Sequence, residues 1–216
     1  MKRVLLAISG CLLLTGFSGC GYNSLQGLDE DVKASWSEVQ NQYQRRSDLI
    51  PNLVNVVKGY AKHEQETLEK VVQARAEATK TTLDVSKLSD KQSFEKFQQA
   101  QGQLSSALGK LMVVVEKYPD LKANENFRDL QSQLEGTENR ITVERMRFNE
   151  AAQQFNTLRR TIPTAMVAGF FGFKEKAYFK ASECPVKEWI RAGTEIGVYQ
   201  IRPPICQVSD YLKVSP

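Results

Sequence analysis

The sequence offers few side chains that could carry out chemistry. Its one histidine, His63, is followed by Glu64, which begins the zinc-binding pattern H-E-x-x-H, but Thr67 stands where the second histidine would be. A zinc ion commonly needs three or four ligands, so His63 predicts a polar residue on the side of a helix. Phosphate-binding, dinucleotide-binding and G-x-S-x-G patterns are absent. We therefore predict no catalytic residue, no metal and no cofactor.

One cysteine does suggest a covalent reaction. The chain begins with Met1-Lys2-Arg3, an apolar run over 4–14 and the string Phe17-Ser18-Gly19-Cys20. A basic start, an apolar run and small residues before a boundary are typical of a secretory signal peptide. The run is too short to span a bilayer, which takes about 20 residues. The string resembles the lipobox of bacterial lipoproteins, although leucine is usual where Phe17 stands. The alternative is an ordinary signal peptide with a stray cysteine.

The lipobox interpretation predicts the address of the protein. Residues 1–19 would be removed after Gly19, Cys20 would carry diacylglycerol and an amide-linked acyl chain, and residues 20–27 would connect the lipid to the fold. Two or three acyl chains hold a protein firmly, at about 0.8 kcal/mol per buried methylene. We expect attachment to the cell membrane or outer membrane, facing the periplasm or exterior. Gly21 is not the aspartate of an inner-membrane retention signal, which favours the outer membrane in cells that have two.

Charge and the remaining cysteines limit other functions. Removing 1–19 takes away Lys2 and Arg3 and leaves 27 basic and 25 acidic side chains, without a basic stripe interleaved with aromatics. Nucleic acid is therefore not an expected partner. The mature chain would contain Cys184 and Cys206 in addition to Cys20. A disulfide between them would stabilise the fold by about 3 kcal/mol in the chain-entropy model, and two free thiols are the alternative.

Apolar residues at spacings of three and four predict three long helices. The first runs from Leu28 to Ala78 and contains Pro51, which removes a hydrogen bond to the carbonyl of Ser47. The helix therefore bends or breaks there, and the unbroken phase of the stripe favours a bend. The second helix follows Ser89 and ends at Pro119, and the third, capped by Asn124, ends near Pro163.

Short connections between these helices predict an all-α, antiparallel up-and-down bundle over residues 28–173, with three helices or, if Pro51 breaks the first, four. After Pro163 a short apolar helix is expected, followed by an irregular tail over 174–216. The apolar helix either caps the open end of the bundle or exposes an aromatic patch to a partner or a membrane surface. The patch residues are Phe170, Phe171 and Phe173.

Polar residues interrupt the apolar stripes of all three helices. A charge inside a bundle needs a partner, because an unpaired one costs several kcal/mol. We expect Arg46 to pair with Asp48 locally or with Glu144 across the bundle, in a network that fixes the register of the helices. The alternative is a polar ligand pocket. The candidate interior network is Arg46, Asp48, Glu64, Gln101 and Glu144.

Several long strings resemble the LemA family. They cover roughly residues 22 to 180 and occur in the family's order. The resemblance implies a membrane-associated helical bundle, but the family usually begins with one membrane-spanning helix, which a lipoprotein-type signal replaces here. It implies no catalytic residues. The strings are 45–54, 57–64, 118–124, 135–141 and 168–174, with Tyr22-Asn23 upstream.

Two kinds of function remain. The first is a lipid-anchored scaffold or interaction protein that binds an envelope protein. The second is an enzyme or enzyme accessory that acts on cell-wall material or membrane proteins, which would need a cleft with paired carboxylates. Membrane shaping by the rod would rest on the anchor alone. The missing active site and the near-neutral charge favour the scaffold, and a structure with a carboxylate-lined pocket would favour the enzyme.

Overall fold

The computed structural model describes residues 2–61 and 63–180, with side-chain surroundings from residue 21 onward. Within those residues every regular element is helical, so the predicted all-α bundle is confirmed. Cys184 and Cys206 lie outside the described residues, as does most of the expected tail. The elements are α1 Lys2–Tyr60, α2 Gln65–Lys80, a 3₁₀ turn Val85–Lys87, α3 Lys91–Val115, α4 Pro119–Ala123, α5 Glu125–Arg160 and α6 Thr164–Phe171.

Helix α1 runs through Pro51 without a break and ends at Tyr60. The alternative in which Pro51 breaks the helix is therefore wrong, and so is the expectation that this helix continues to Ala78. The chain leaves helical geometry between Ala61 and Glu64 and returns as α2. Folding back buries Leu68 and Val71, which a continuing helix would project into solvent. Tertiary burial outweighs local helix propensity here.

The hydrogen bond that Pro51 removes is replaced from another helix. Proline has no N–H, so the carbonyl of Ser47 lacks its usual donor four residues later. Arg75 of α2 donates its Nε–H to this carbonyl over 2.8 Å. The Ser47 hydroxyl also lies 3.2 Å from the Thr79 hydroxyl. Helix α2 thus supplies the partners that let α1 pass through a proline.

Contacts between helices show the directions of the bundle. Trp36 packs on Phe148, and Tyr60 accepts a hydrogen bond from Asn124, so α5 runs antiparallel to α1. Trp36 also packs on Phe94, which lies at the start of α3. Arg46, further along α1, bonds to Gln101, further along α3, so these two helices are parallel. Helix α2 runs antiparallel between them, which gives the expected up-and-down order with four long helices.

The core has two clusters along the bundle. One cluster lies toward the turn between α1 and α2, and we call this end of the bundle its distal half. This distal cluster, around Ile50, Leu53 and Val57 of α1, packs on α2, α3, α4 and the first half of α5. The other cluster surrounds Trp36, which is fully buried among four phenylalanine rings at centroid distances of 5.4–6.0 Å. Its indole N–H donates to the carbonyl of Leu83 over 3.1 Å, which holds the loop after α2 against α1.

An extended segment completes the half of the bundle that α2 does not reach. Asn156 of α5 bonds both the N–H and the carbonyl of Lys176, each over 2.9 Å. Asn149, two turns earlier, does the same for Phe179 over 2.9 and 3.1 Å. Residues 174–179, expected as the start of the tail, therefore lie along the bundle and bury Phe179 against Trp36.

The expected connector is also part of this half. Residues 21–27 are helical and belong to α1, and Leu25 is fully buried. Helix α1 is long because residues 21–35 pack on α5, on α6 and on the extended segment. The described packing therefore includes Gly21, the residue that directly follows Cys20.

We predict that Arg75 and Pro51 are energetically coupled. Arg75→Met should lower the free energy of unfolding by about 1–2 kcal/mol, because it leaves the Ser47 carbonyl unsatisfied. In a Pro51→Ala background the alanine N–H can donate to that carbonyl, so the same change should cost less. Urea unfolding of the four proteins gives the coupling energy. Lys80→Met on α2 is the control, and an equal cost for Arg75→Met in both backgrounds would contradict the account.

Candidate functional site

Arg46 is the most unusual residue of the described core. Its side chain is 1% exposed and its guanidinium reaches three other side chains. One terminal nitrogen donates to Glu138 Oε1 over 2.6 Å and to the Ser105 hydroxyl over 2.8 Å. The other donates to the side-chain oxygen of Gln101. The planar fork of an arginine suits such divided binding, and it joins α1, α3 and α5 at one level.

The expected carboxylate partner was placed incorrectly. Helices α1 and α5 are antiparallel, and the pairings of Trp36 with Phe148 and of Tyr60 with Asn124 bring Glu138 opposite Arg46. Glu144 lies almost two turns further along α5, away from this level. The spacing on one helix could not show which of its carboxylates would meet another helix.

The other predicted network residues do not join Arg46, except Gln101. Glu144 pairs with Arg147 of its own helix over 2.9 Å. Asp48 is exposed and accepts a hydrogen bond from Gln44 over 2.8 Å. Glu64 accepts a hydrogen bond from the Tyr118 hydroxyl over 3.2 Å at the far end of the bundle. Of the predicted network, Arg46 and Gln101 thus share one cluster, Asp48 and Glu144 pair within their own helices, and Glu64 bonds to Tyr118.

A cleft of about 130 Å³ lies beside this cluster, between α1, the end of α2 and α3. Amides and hydroxyls supply its polar groups, and no carboxylate lines it. Burial raises the pKa of Tyr43, which lines the cleft, above its ordinary value. The cleft can donate and accept hydrogen bonds but lacks a general acid or base of the paired-carboxylate kind. Its lining includes Gln40, Tyr43, Ser47, Thr79, Phe97 and Gln101.

The part of the chain that the structure describes contains no candidate metal site. No group of three or more histidine, cysteine, aspartate or glutamate side chains is placed to hold an ion there. His63 is exposed in the turn between α1 and α2. Among the same residues, no helix combines the length and the apolar character needed to cross a bilayer.

The predicted aromatic patch lies at the opposite end from this turn. Phe170 and Phe171 of α6 are 85% and 57% exposed, whereas Phe173 is partly buried against Phe155 and Tyr22. Tyr22 also packs on Phe171 at a ring-centroid distance of 4.7 Å. The structure therefore keeps two of the three phenylalanines in the patch and packs one of them, Phe171, against Tyr22 of α1.

An ion pair fastens the extended segment near the same end. Asp29 of α1, 8% exposed, accepts from Lys176 over 2.7 Å and from Lys33 over 2.8 Å. Burial alone would raise the pKa of Asp29, but the two lysines outweigh it and hold that pKa below the ordinary 3.8. Lys176 also lies 5.2 Å from the centroid of the Phe155 ring.

Several residues of these sites were not predicted from the sequence. Glu138 follows Thr137 on α5 and belongs to one of the strings, 135–141, that carry the family resemblance; Arg46 belongs to another. Pairing charged residues between such strings could have indicated this contact. Asn149 and Asn156 gave a weaker signal, a spacing of seven residues on one helix face, and nothing showed what they would bind.

Comparison with known proteins identifies relatives over most of the chain. The model of the LemA family matches residues 35–190. Magnetosome protein MamQ 2 of Paramagnetospirillum magneticum is 28% identical over 184 residues, covering 76% of this chain and 68% of that protein. MamQ of Magnetospirillum gryphiswaldense is 27% identical over 73% of this chain and 64% of its own length. Protein LemA of Metamycoplasma hominis is 28% identical over 74% and 69%.

We predict that Arg46 stabilises the bundle. Arg46→Met should lower the free energy of unfolding by about 1–3 kcal/mol, because the buried oxygen of Gln101 loses its donor. Arg46→Lys should not restore the loss, since an ammonium cannot reach three helices at once. The control is Arg147→Met, whose exposed pair with Glu144 should contribute less than about 1 kcal/mol. A helical Arg46→Met variant with equal or higher stability would contradict this role.

We also predict an acid-dependent contribution from Asp29. Since its pKa is lowered on folding, its stabilisation is present at neutral pH and is lost as the pH falls through 3.8 and below. Asp29→Asn should therefore reduce the melting temperature at pH 7 and make little difference near pH 2. Lys176→Met should lower the melting temperature at pH 7 in the same way. The double variant should be no less stable than either single variant, because both changes remove the same ion pair. Equal destabilisation by Asp29→Asn at both pH values would show that the charge is not responsible.

Proposed function

The chain belongs to the LemA family, and we propose that it acts as a lipid-anchored scaffold that holds an envelope protein at the membrane. Members of this family are membrane-associated helical proteins, which gives the general setting. The finer statement, that acyl chains on Cys20 provide the anchor, is supported by the lipobox-like string that ends at this cysteine.

The continuity of α1 carries this proposal. Residues 21–60 form one uninterrupted stretch of helix, about 60 Å long at 1.5 Å per residue. Cys20 directly precedes this stretch, and the turn to α2 lies at its other end. A lipid on Cys20 would therefore fix one end of a long rod and leave the other end free to meet a partner. Such geometry suits a spacer between a membrane and a second protein.

The distribution of polar groups supports binding more than catalysis. The central guanidinium is occupied by Glu138, Gln101 and Ser105, and the adjacent cleft is lined by amides, hydroxyls and apolar groups. Exposed apolar side chains occur on the distal half, including Val72 of α2 and Val113 of α3, at 49% and 69% exposure. These side chains face outward where an anchored rod would be accessible to a protein.

The test uses the anchor as the variable. Cells carry either the native chain or Cys20→Ser behind an ordinary cleavable signal, and both are grown with labelled palmitate and then cross-linked. We expect label in the native protein only, and a discrete envelope protein that co-purifies with it. Recovery of that protein with both forms would support the scaffold function and would show that the lipid serves only to locate the protein at the membrane.

Two results would oppose the proposal. If the native chain takes up no palmitate and its mature N-terminus by mass spectrometry is not a modified Cys20, the lipid anchor is wrong. If neither form yields a discrete cross-linked partner, the scaffold is wrong. Val113→Ser on the distal half is the matched surface variant: it should reduce recovery of a partner that binds there without changing palmitate uptake.

A further inference from the structure

We infer that the outer face of α6 inserts into the interface of the same bilayer that holds Cys20. This inference rests on the proposed anchoring and adds a second point of membrane contact. It assigns the aromatic patch to lipid, where the sequence left a protein partner and a membrane surface as alternatives.

The exposed face is almost entirely apolar. Met166 and Phe170 lie four residues apart on α6 and are 77% and 85% exposed, and Ile162, just before the helix, is 87% exposed. Phe171 beside them is 57% exposed, and its ring contacts that of Phe170 at 5.2 Å. Large contiguous apolar surfaces of this kind are rare on soluble proteins and mark contact with a partner or a membrane.

Helix α6 is nevertheless held firmly to the bundle. Its inner face buries Thr164 and Ala168. The Thr164 hydroxyl lies 2.6 Å from the Leu158 carbonyl and 2.7 Å from the Thr161 carbonyl, which ties α6 to the end of α5. Gly172, with φ of 72°, ends the helix in the left-handed conformation that glycine adopts at low cost. The apolar face is thus presented by a fixed element.

Helix α1 meets this fixed element at Gly21 and Tyr22. A Cβ placed on Gly21 would lie 2.9 Å from the methyl group of Thr164, so the two helices are in close contact at this point. Tyr22, the next residue of α1, packs on Phe171. Cys20 is one residue from Gly21, about 1.5 Å further along the helix. Acyl chains on Cys20 would therefore start one residue from the contact between α1 and α6.

The polar surroundings carry the charge that an anionic leaflet attracts. Arg159 and Arg160, at the end of α5, share a single carboxylate, that of Glu175, at 3.5 and 3.0 Å. Lys174 is exposed three residues after Phe171. Basic side chains beside an apolar face can extend to phospholipid headgroups while the apolar groups enter the acyl region.

Position selects the bilayer over a protein partner as the occupant. Helix α6 contacts Gly21 and Tyr22, which directly follow Cys20, so a lipid on Cys20 would bring α6 to the membrane surface. A protein bound to this face would have to lie between α6 and the bilayer that the acyl chains on Cys20 enter. Two attachments, the acyl chains and α6, would also restrict the tilt of the rod.

The test places photoreactive benzoylphenylalanine at Phe170 in the full native chain, in cells whose phospholipids carry radioactive phosphate. The matched control is the same amino acid at Val113, an exposed apolar residue on the distal half. After irradiation we expect at least five times more phospholipid adduct at 170 than at 113. A discrete protein adduct at 170, equal lipid adducts at both positions, or no lipid adduct at 170 would each overturn the inference.

The outcome also separates this inference from the anchor on which it rests. Palmitate incorporation into the same chains reports on Cys20 independently of the cross-link. Palmitate uptake without a lipid adduct at 170 would reject membrane contact by α6 and retain the lipid anchor. A lipid adduct at 170 without palmitate uptake would retain membrane contact by α6 and reject acylation of Cys20.

Discussion

The hydrogen bond from Arg75 to the carbonyl of Ser47 is the contact on which the shape of this bundle depends. Pro51 deprives that carbonyl of its donor in the middle of α1, where a helix would otherwise bend or break. The guanidinium of Arg75 supplies a donor from α2 over 2.8 Å. Because α1 stays continuous, every other element can pack along one axis, from α6 at the start to α4 near Tyr60.

The Arg46 cluster joins α1, α3 and α5 at one level of the bundle. Burying a guanidinium is costly, and here the cost is offset by acceptors from α3 and α5 at one level. A shift of one turn would move Glu138 by about 5.4 Å and leave the charge unpaired. Apolar side chains tolerate such shifts far better, so we expect this polar cluster to favour one arrangement of α1, α3 and α5.

Much of the fold could be predicted from the sequence because its signals are local. Periodic apolar residues indicated the long helices, Asn124 indicated the cap of α5, and its side chain indeed accepts from the N–H of Phe127. The end of α1 at Tyr60 could not be found in this way. The period continues weakly beyond Tyr60, and only the burial of Leu68 and Val71 against α1 and α3 favours the turn.

The candidate sites depended on information that one segment does not contain. Arg46 and Gln101 could be identified as interior residues, since each interrupts an apolar stripe. The carboxylate partner of Arg46, Glu138, follows from the antiparallel register of α1 and α5, which joins residues 92 positions apart. Asn149 and Asn156 are similar: they bind the backbone of Lys176 and Phe179, and backbone groups have no sequence signature.

The central claim is that α1 is a single continuous helix through Pro51, and a distance measurement tests it directly. Gly27 and Gly59 are exposed on either side of the proline, and an added Cβ would meet nothing within 4 Å at either position. Spin labels on Gly27→Cys and Gly59→Cys, with the native cysteines changed to serine, can be measured by pulsed electron resonance. A continuous helix predicts one narrow distribution near about 48 Å. A broad distribution would contradict it. So would a peak shorter by 10 Å or more, roughly the length of the two helical turns between Pro51 and Gly59, because a sharp bend at Pro51 would bring the labels closer together.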